Sequence, residues 1–433
     1  MHLLKSSTLI SFLLLAPQVG AGTARSTRAF SVAIAATRSS DQLSPRDRIE
    51  IFEEVWATVN EKYYDPSFNG VDWHSLRQRY RPLIEAAKSD DQFYGILKRM
   101  VGELHDAHTR FSTPEERRER ERLEAISAGV SVFEVEGKPA IVGVEPNSDA
   151  ARAGVEVGML VLAIDGKPVA ERLAEARERV AGSSTDRAVR LRIYRMIVGG
   201  EPGTTLNMSL ARADESVLEV AVTRRIVGDR AEVTSHLLPS GFGYIRLTLW
   251  ESPIRKQFKK ALSQFRNAQG VVIDLRGNPG GEAEEVEKIA SFFFDAHVPF
   301  GKFTRRSGKS IYLRTENDNQ VYKGPVVILV NEGSGSGSEL FAGVMQENGR
   351  AVVVGRQTCG CVLGISRFRG LKGKGELAVS EYGYRSPDGK TFEGTGIHPD
   401  KTVELKISDL QQHRDSALEE AETLLKAKSE PKH

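Results

Sequence analysis

The chain has only two cysteines in 433 residues, Cys359 and Cys361, one residue apart. So few thiols exclude a disulfide framework, and a ring closed between them would be small. Two thiols also fall short of the four ligands of a structural zinc site, with no histidine cluster near them in sequence. Cys361 reads as a small buried residue. Charge of one sign is equally scarce. Sixty Lys and Arg against 58 Asp and Glu leave a formal net charge of +2, so no basic stripe answers a phosphate backbone and nucleic acid is not an expected partner. Beyond the N-terminus no apolar run is long and charge-free enough to span a bilayer.

What is present begins with a leader pattern: Lys5, the apolar run Leu9, Ile10, Phe12, Leu13, Leu14 and Leu15, then Val19-Gly20-Ala21. Residues 1–21 are expected to be a secretory signal peptide, the protein to be exported to a periplasmic or extracellular space, and no membrane association to persist after cleavage. Residues 22–43, rich in Ala, Ser, Thr and Arg without apolar periodicity, read as a linker. From Pro45 the apolar positions Ile49, Phe52, Val55, Trp56 and Val59 recur at helical spacing, and helical stretches follow at 73–86 and 90–104. Residues 44–122 are thus an N-terminal helical region. Residues 123–228 switch to short strands and Gly-punctuated turns. In 229–407, strands at 244–249, 271–275, 326–330 and 351–355 alternate with helices at 282–294 and 338–347, which argues for a mainly parallel sheet. Residues 408–433 close the chain as an amphipathic helix and tail. The expected fold class is multidomain α+β: a helical bundle, an inserted β domain and an α/β core.

The most informative segment is Val330-Asn331-Glu332-Gly333-Ser334-Gly335-Ser336-Gly337-Ser338-Glu339, where a β run ends directly before the glycines and a helical pattern starts directly after them. Such an elbow exposes a hydroxyl near a helix N-terminus and frees backbone N–H groups for a developing oxyanion. It lacks the Lys-Ser/Thr pair of a phosphate-binding loop. A second turn, Asp274-Leu275-Arg276-Gly277-Asn278-Pro279-Gly280-Gly281, also leaves a buried strand, and turns at neighbouring parallel strand ends converge on one crevice. Its paired glycines can supply a second oxyanion donor.

These two turns, with Leu104-His105-Asp106-Ala107-His108-Thr109 before them and Glu393-Gly394-Thr395-Gly396-Ile397-His398-Pro399-Asp400 after them, give a chain that resembles the tail-specific or C-terminal processing peptidases. The resemblance implies a crotonase-like ββαβα core and makes Ser336 the nucleophile. Ser334 and Ser338 are then supporting residues, Ser338 as a helix cap. Many family members carry a lysine base where this chain has Cys361, in Thr358-Cys359-Gly360-Cys361, and a thiol cannot replace a desolvated amine. Lys372 and Lys374 lie further on in a Gly-flanked turn. A tricorn-type branch is similar in lacking the lysine, and by that resemblance His108 is the general base and Glu393 holds the imidazole or a bridging hydroxyl. His105, three residues away, competes with His108 if the helix continues.

Residues 123–228, with Ala128-Gly129-Val130 and Val157-Gly158-Met159-Leu160-Val161-Leu162-Ala163-Ile164-Asp165-Gly166, resemble a PDZ domain, which captures a chain-end carboxylate and adds the peptide to a sheet edge. The expectation is an exported serine endopeptidase acting on polypeptides with accessible C-termini. Its oxyanion donors are the N–H of Gly337 and that of Gly280 or Gly281. No metal or organic cofactor is implied, and an oligomer is compatible with the sequence. The competing expectation is a non-catalytic binding protein that keeps the fold.

Overall fold

The computed structural model describes residues 42–122, 124–180, 182–228, 231–316 and 321–429; the expected leader 1–21 and linker residues 22–41 lie outside the described residues. Helix α1 (Pro45–Lys62) opens with a capping box, in which Ser44 Oγ accepts from the Asp47 N–H and the Asp47 carboxylate accepts from the Ser44 N–H. Its buried stripe of Ile51, Phe52, Val55 and Val59 packs with α2 (Trp73–Ala86) and α3 (Asp90–Gly102). This bundle does not close on itself. Residues Arg110–Ser112 pair antiparallel with Glu376–Ala378, and Leu377 and Val379 complete the bundle's core.

The inserted module is an antiparallel sheet in the order β1 (Val130–Val135), β2 (Lys138–Val144), β3 (Leu160–Ile164), β4 (Thr205–Ala211) and β5 (Val217–Thr223). It is not built of short strands alone. It also holds the helices Val169–Arg179 and α4 (Asp186–Val198). In α4 the stretch Val189-Arg190-Leu191-Arg192-Ile193 alternates with the period of a strand, so its helical character shows only in the Thr185 cap and in Ala188, Ile193 and Ile197 buried on one face. Strand β1 is the edge of the sheet and faces α4, with Phe133 and Tyr194 ring centroids 5.3 Å apart.

The core sheet runs β6 (Val233–Leu237), β7 (Gly243–Leu247), β8 (Val271–Asp274), β9 (Val326–Val330), β10 (Val352–Gly355) and β11 (Lys401–Thr402), parallel except for β6. Strands β8 and β9 are buried at every position because both faces are covered. Ile273 and Ile328 face one cluster with α5 (Ile254–Gln264), α6 (Ala283–Ala290) and α7 (Gly337–Glu347); Val272 and Val327 face Ala421 and Leu425 of α8 (Ser416–Ser429). A second, antiparallel sheet, in the order 310–314, 299–305, 380–385, 363–365, stands beside it and had no counterpart in the sequence reading. The C-terminal helix expected from 408 is broken. A short turn of helix, Ile407–Gln411, sets Leu410 against Val135 and Ala140 of the module, and α8 begins only after His413 has turned the chain at φ +54°.

Candidate active site

Strands β8 and β9 are in register, Asp274 opposite Leu329, so the turns that leave them lie side by side. They are then stitched together. Ser334 Oγ donates to the Leu275 carbonyl (2.8 Å), the Gly335 N–H to the Asn278 carbonyl (3.0 Å), and the Gly277 N–H to Asn331 Oδ1 (2.9 Å). Asp274, wholly buried at the end of β8, is gripped by Arg276 and the Tyr244 hydroxyl; burial alone would raise its pKa, but the Arg276 guanidinium holds it below the ordinary value.

Ser336 stands at the apex with φ +49° and ψ −112°, a conformation that a non-glycine residue adopts only where its surroundings enforce it. It is itself the N-cap residue of α7. Ser338 is therefore not the cap: its hydroxyl donates to the Asn278 carbonyl (3.0 Å) and accepts from Trp250 Nε1 (2.9 Å), locking the two turns and β7's exit together. Gly280 is pressed against the apex, since a Cβ there would come within 2.6 Å of Ser336 Cβ and 2.8 Å of the Gly337 nitrogen. Its own N–H is spent on Asn278 Oδ1 (2.9 Å), which removes it as an oxyanion donor. The N–H groups of Gly281 and Gly337 have no hydrogen-bond partner among the described residues, and a Cβ at Gly337 would lie 3.4 Å from the Gly281 nitrogen.

Glu339, one turn into α7, is the residue whose importance the sequence concealed. Its buried carboxylate accepts from the N–H of Ser336 (2.9 Å), Gly360 (2.7 Å) and Cys361 (3.0 Å) and from the Thr358 hydroxyl (2.6 Å). Burial raises its pKa, while those four donors oppose the rise. The Ser336 N–H also reaches the Cys361 carbonyl (3.1 Å). Cys361 is buried beside the elbow, as expected, and is joined to Cys359 as a disulfide, because Gly360 at φ +73° folds the chain tightly enough to bring them together. Lys372 is no substitute for the absent lysine. It is exposed and bonded to Asp47 and Glu50, contacts that raise its pKa, whereas a lysine base needs a lowered one.

His108 lies past the end of α3, in a turn made by Asp106, whose Oδ1 accepts from the N–H of His108 (2.7 Å) and Thr109 (2.5 Å) and from the Ser380 hydroxyl (3.0 Å). Because α3 stops at Gly102, His105 does not share a helix face with His108 and is exposed. Burial lowers the His108 pKa to about 4, with Asp106 opposing, so the imidazole is neutral and able to accept a proton at pH 7. Glu393 sits on a loop laid across the Thr358–Val362 turn. Its Oε2 accepts from the Val362 N–H (2.6 Å), the Gly394 N–H donates to the Gly360 carbonyl (2.9 Å), and the Ile397 N–H to the Thr358 hydroxyl (2.7 Å). Burial raises its pKa to about 8; the Ser184 hydroxyl opposes this and the Asp106 charge adds to it. Ser184, from the inserted module, accepts from the Ala107 N–H (2.9 Å) and so stands between the histidine turn and Glu393. No hydrogen bond joins Ser336 to His108, or His108 to Glu393; the contacts run instead through Cys361, Val362 and Ser184. Sequence reasoning could not find Ser184, 77 residues from its partner. Among the described residues no three His, Cys, Asp or Glu side chains are grouped to hold a metal ion, and no helix is long and apolar enough to cross a membrane.

Helix α4 touches this site as well. The Thr185 hydroxyl donates to the Cys359 carbonyl (2.6 Å), Arg187 to the carbonyls of Thr358 (3.0 Å) and Thr395 (2.7 Å), and Arg192 to that of Ala107 (3.2 Å). Further along the same helix, Leu191, Tyr194 and Val198 line a cavity of about 670 Å³, opposite Val130, Val132 and Phe133 of β1.

The profile of peptidase family S41 matches residues 241–403, that of the tricorn protease C1 domain residues 44–102, and that of a PDZ domain residues 141–195. The chain is similar to the chloroplastic carboxyl-terminal-processing peptidase 3 of Arabidopsis thaliana, at 28% identity over 362 residues that cover 80% of this chain and 67% of that protein. It is also similar to a carboxyl-terminal-processing protease of Synechocystis sp., at 28% identity with 82% and 80% covered. The solved photosystem II D1 C-terminal processing protease shares the fold, with a TM-score of 0.58 at 23% identity over 89% of this chain and 98% of that one.

Proposed function

The chain belongs to peptidase family S41, as a serine peptidase of the carboxyl-terminal-processing type with PDZ and tricorn C1 domains, and from that premise we propose that it cleaves polypeptides through an acyl-enzyme on Ser336. The observation that carries this reading is the strained Ser336 apex beside two unpartnered amides, Gly281 and Gly337. Ser336 Oγ attacks the scissile carbonyl. The oxyanion that develops takes hydrogen bonds from the Gly281 and Gly337 N–H groups. His108, neutral, receives the serine proton and returns it to the leaving amine; Glu393, once ionised, stabilises the imidazolium, and Ser184 keeps the two in register. Water then hydrolyses the ester by the reverse proton path.

Substrates dock by their C-termini, the last residues adding to the free edge of β1 and the side chains entering the cavity beneath α4. The protein acts outside the cytoplasm. Support comes from the leader pattern of residues 1–21 and from the Cys359–Cys361 disulfide, which is at home in an oxidising compartment.

Labelling of the mature protein with a fluorophosphonate, mapped by mass spectrometry, tests the chemistry. Wild type is expected to carry the label on Ser336, and the Ser336→Ala and His108→Ala variants to carry none. Folded wild type that stays unlabelled would point to a binding protein on a peptidase fold.

A further inference from the structure

We propose that Cys359 and Cys361 form a thiol–disulfide exchange site, through which a dithiol reductant controls the alignment of the catalytic elbow. The proposal rests on the peptidase reading above. It starts from where the bond is placed. In three residues, the Cys359–Cys361 turn carries much of what holds the nucleophile. The Cys359 N–H donates to the Ser334 carbonyl (3.0 Å), the Cys361 carbonyl receives the Ser336 N–H (3.1 Å), and the Gly360 and Cys361 N–H groups grip Glu339 (2.7 and 3.0 Å). On its outer side the same turn receives Thr185 at the Cys359 carbonyl (2.6 Å) and Gly394 at the Gly360 carbonyl (2.9 Å), next to the glutamate of the site. A side chain at Gly335 would touch Cys359, with Cβ at 3.4 Å and Sγ at 3.7 Å, so the sulfur lies one residue from the nucleophile.

The two sulfurs are not equivalent. Cys361 is buried at 4% exposure, whereas Cys359 is only partly buried and is the more accessible of the two. A reductant thiolate therefore attacks Cys359 Sγ. The Cys359–Cys361 bond breaks, Cys361 leaves as a thiolate and takes up a proton, and the reductant's second thiolate then attacks its own sulfur in the mixed disulfide, releasing Cys359. Two electrons and two protons pass to the turn, and the reductant leaves as a disulfide. Without its covalent closure the turn regains the freedom that the cross-link removed, and its amides no longer meet Glu339 and Ser336 in one fixed geometry.

The test uses the full mature chain in oxidised and dithiothreitol-containing buffers, together with a Cys359→Ser/Cys361→Ser double variant. Three readouts are taken: mass-tag alkylation, hydrogen–deuterium exchange by mass spectrometry, and the rate of fluorophosphonate labelling at Ser336. Both cysteines are expected to alkylate only after reduction. Exchange in 334–340 and 358–362 should quicken by at least about tenfold on reduction, and labelling should slow by about the same factor. The double variant should behave as the reduced protein in either buffer. Cysteines that alkylate without reduction would overturn the proposal, as would exchange indifferent to reduction, or a double variant that labels like the oxidised protein. Exchange that quickens on reduction while Ser336 labels in neither state would uphold the exchange site and overturn the peptidase reading.

Discussion

The two halves of the site are built to opposite standards. On the nucleophile side the buried polar groups of Ser334, Ser338, Asn278, Glu339 and Thr358 are hydrogen-bonded, and the two open amides, Gly281 and Gly337, are the pair proposed to receive the oxyanion. On the histidine side, His108 Nδ1, Glu393 Oε1, Asp106 Oδ2, the Tyr63 hydroxyl and the Ser183 hydroxyl are all sealed from solvent with no partner at hydrogen-bond geometry among the described residues. A buried polar atom left bare costs about 1–3 kcal/mol. The nucleophile side is thus a closed scaffold, and the histidine side keeps polar atoms open among the described residues.

Four measurements would break or sharpen that contrast. The largest effect is expected from Glu339→Ala, which strands the Gly360 and Cys361 N–H groups, takes the acceptor from the Thr358 hydroxyl and leaves the Ser336 N–H only the Cys361 carbonyl; at about 1–3 kcal/mol for each stranded group, unfolding in urea should show a loss of several kcal/mol. Stability within about 1 kcal/mol of wild type would mean that the elbow is not held from Glu339. Next, His108→Gln should lower kcat/KM by about 10²–10⁴ while shifting stability by less than about 1 kcal/mol, because no hydrogen bond among the described residues is lost with the ring. A large destabilisation would place His108 among the structural residues.

The third is a pH profile. Glu393 is held neutral by burial up to about pH 8, and the imidazolium formed in the transition state needs its carboxylate. Steady-state kcat/KM should therefore rise by about fiftyfold from pH 6 to pH 8 and level off above, and Ser184→Ala should move that rise to higher pH. A profile that is flat through pH 8 in wild type, or unmoved in Ser184→Ala, would remove Glu393 or Ser184 respectively from the proton path. The smallest effect belongs to Trp250→Phe, which deletes one donor to Ser338 Oγ on the fully bonded side; about 1 kcal/mol of stability should be lost, with the labelling rate kept within about twofold.

What the sequence disclosed was what local pattern can carry. Short runs rich in Val and Ile marked β8 and β9, and glycines between a buried strand and a helix marked the Ser336 elbow, because strand, turn and helix each leave their signature within a few residues. The choice between Gly280 and Gly281 needed the position of Asn278 Oδ1, and the role of Ser338 needed Trp250, 88 residues away. Helix α4 was hidden by a local alternation that tertiary packing overrode, and the disulfide by a spacing that seemed too short until the turn at Gly360 was in view.

Helix α4 also limits how this protein can be taken apart. Since Thr185, Arg187 and Arg192 satisfy carbonyl oxygens of Cys359, Thr358, Thr395 and Ala107, excising the inserted module would leave the catalytic crevice with bare acceptors along its wall. The module is therefore not an accessory that can be deleted to yield a minimal enzyme. The β1 edge and the cavity side of α4 carry none of these four contacts and are free to vary, while the 184–192 end is fixed by them; a graft of a foreign module would have to keep those contacts.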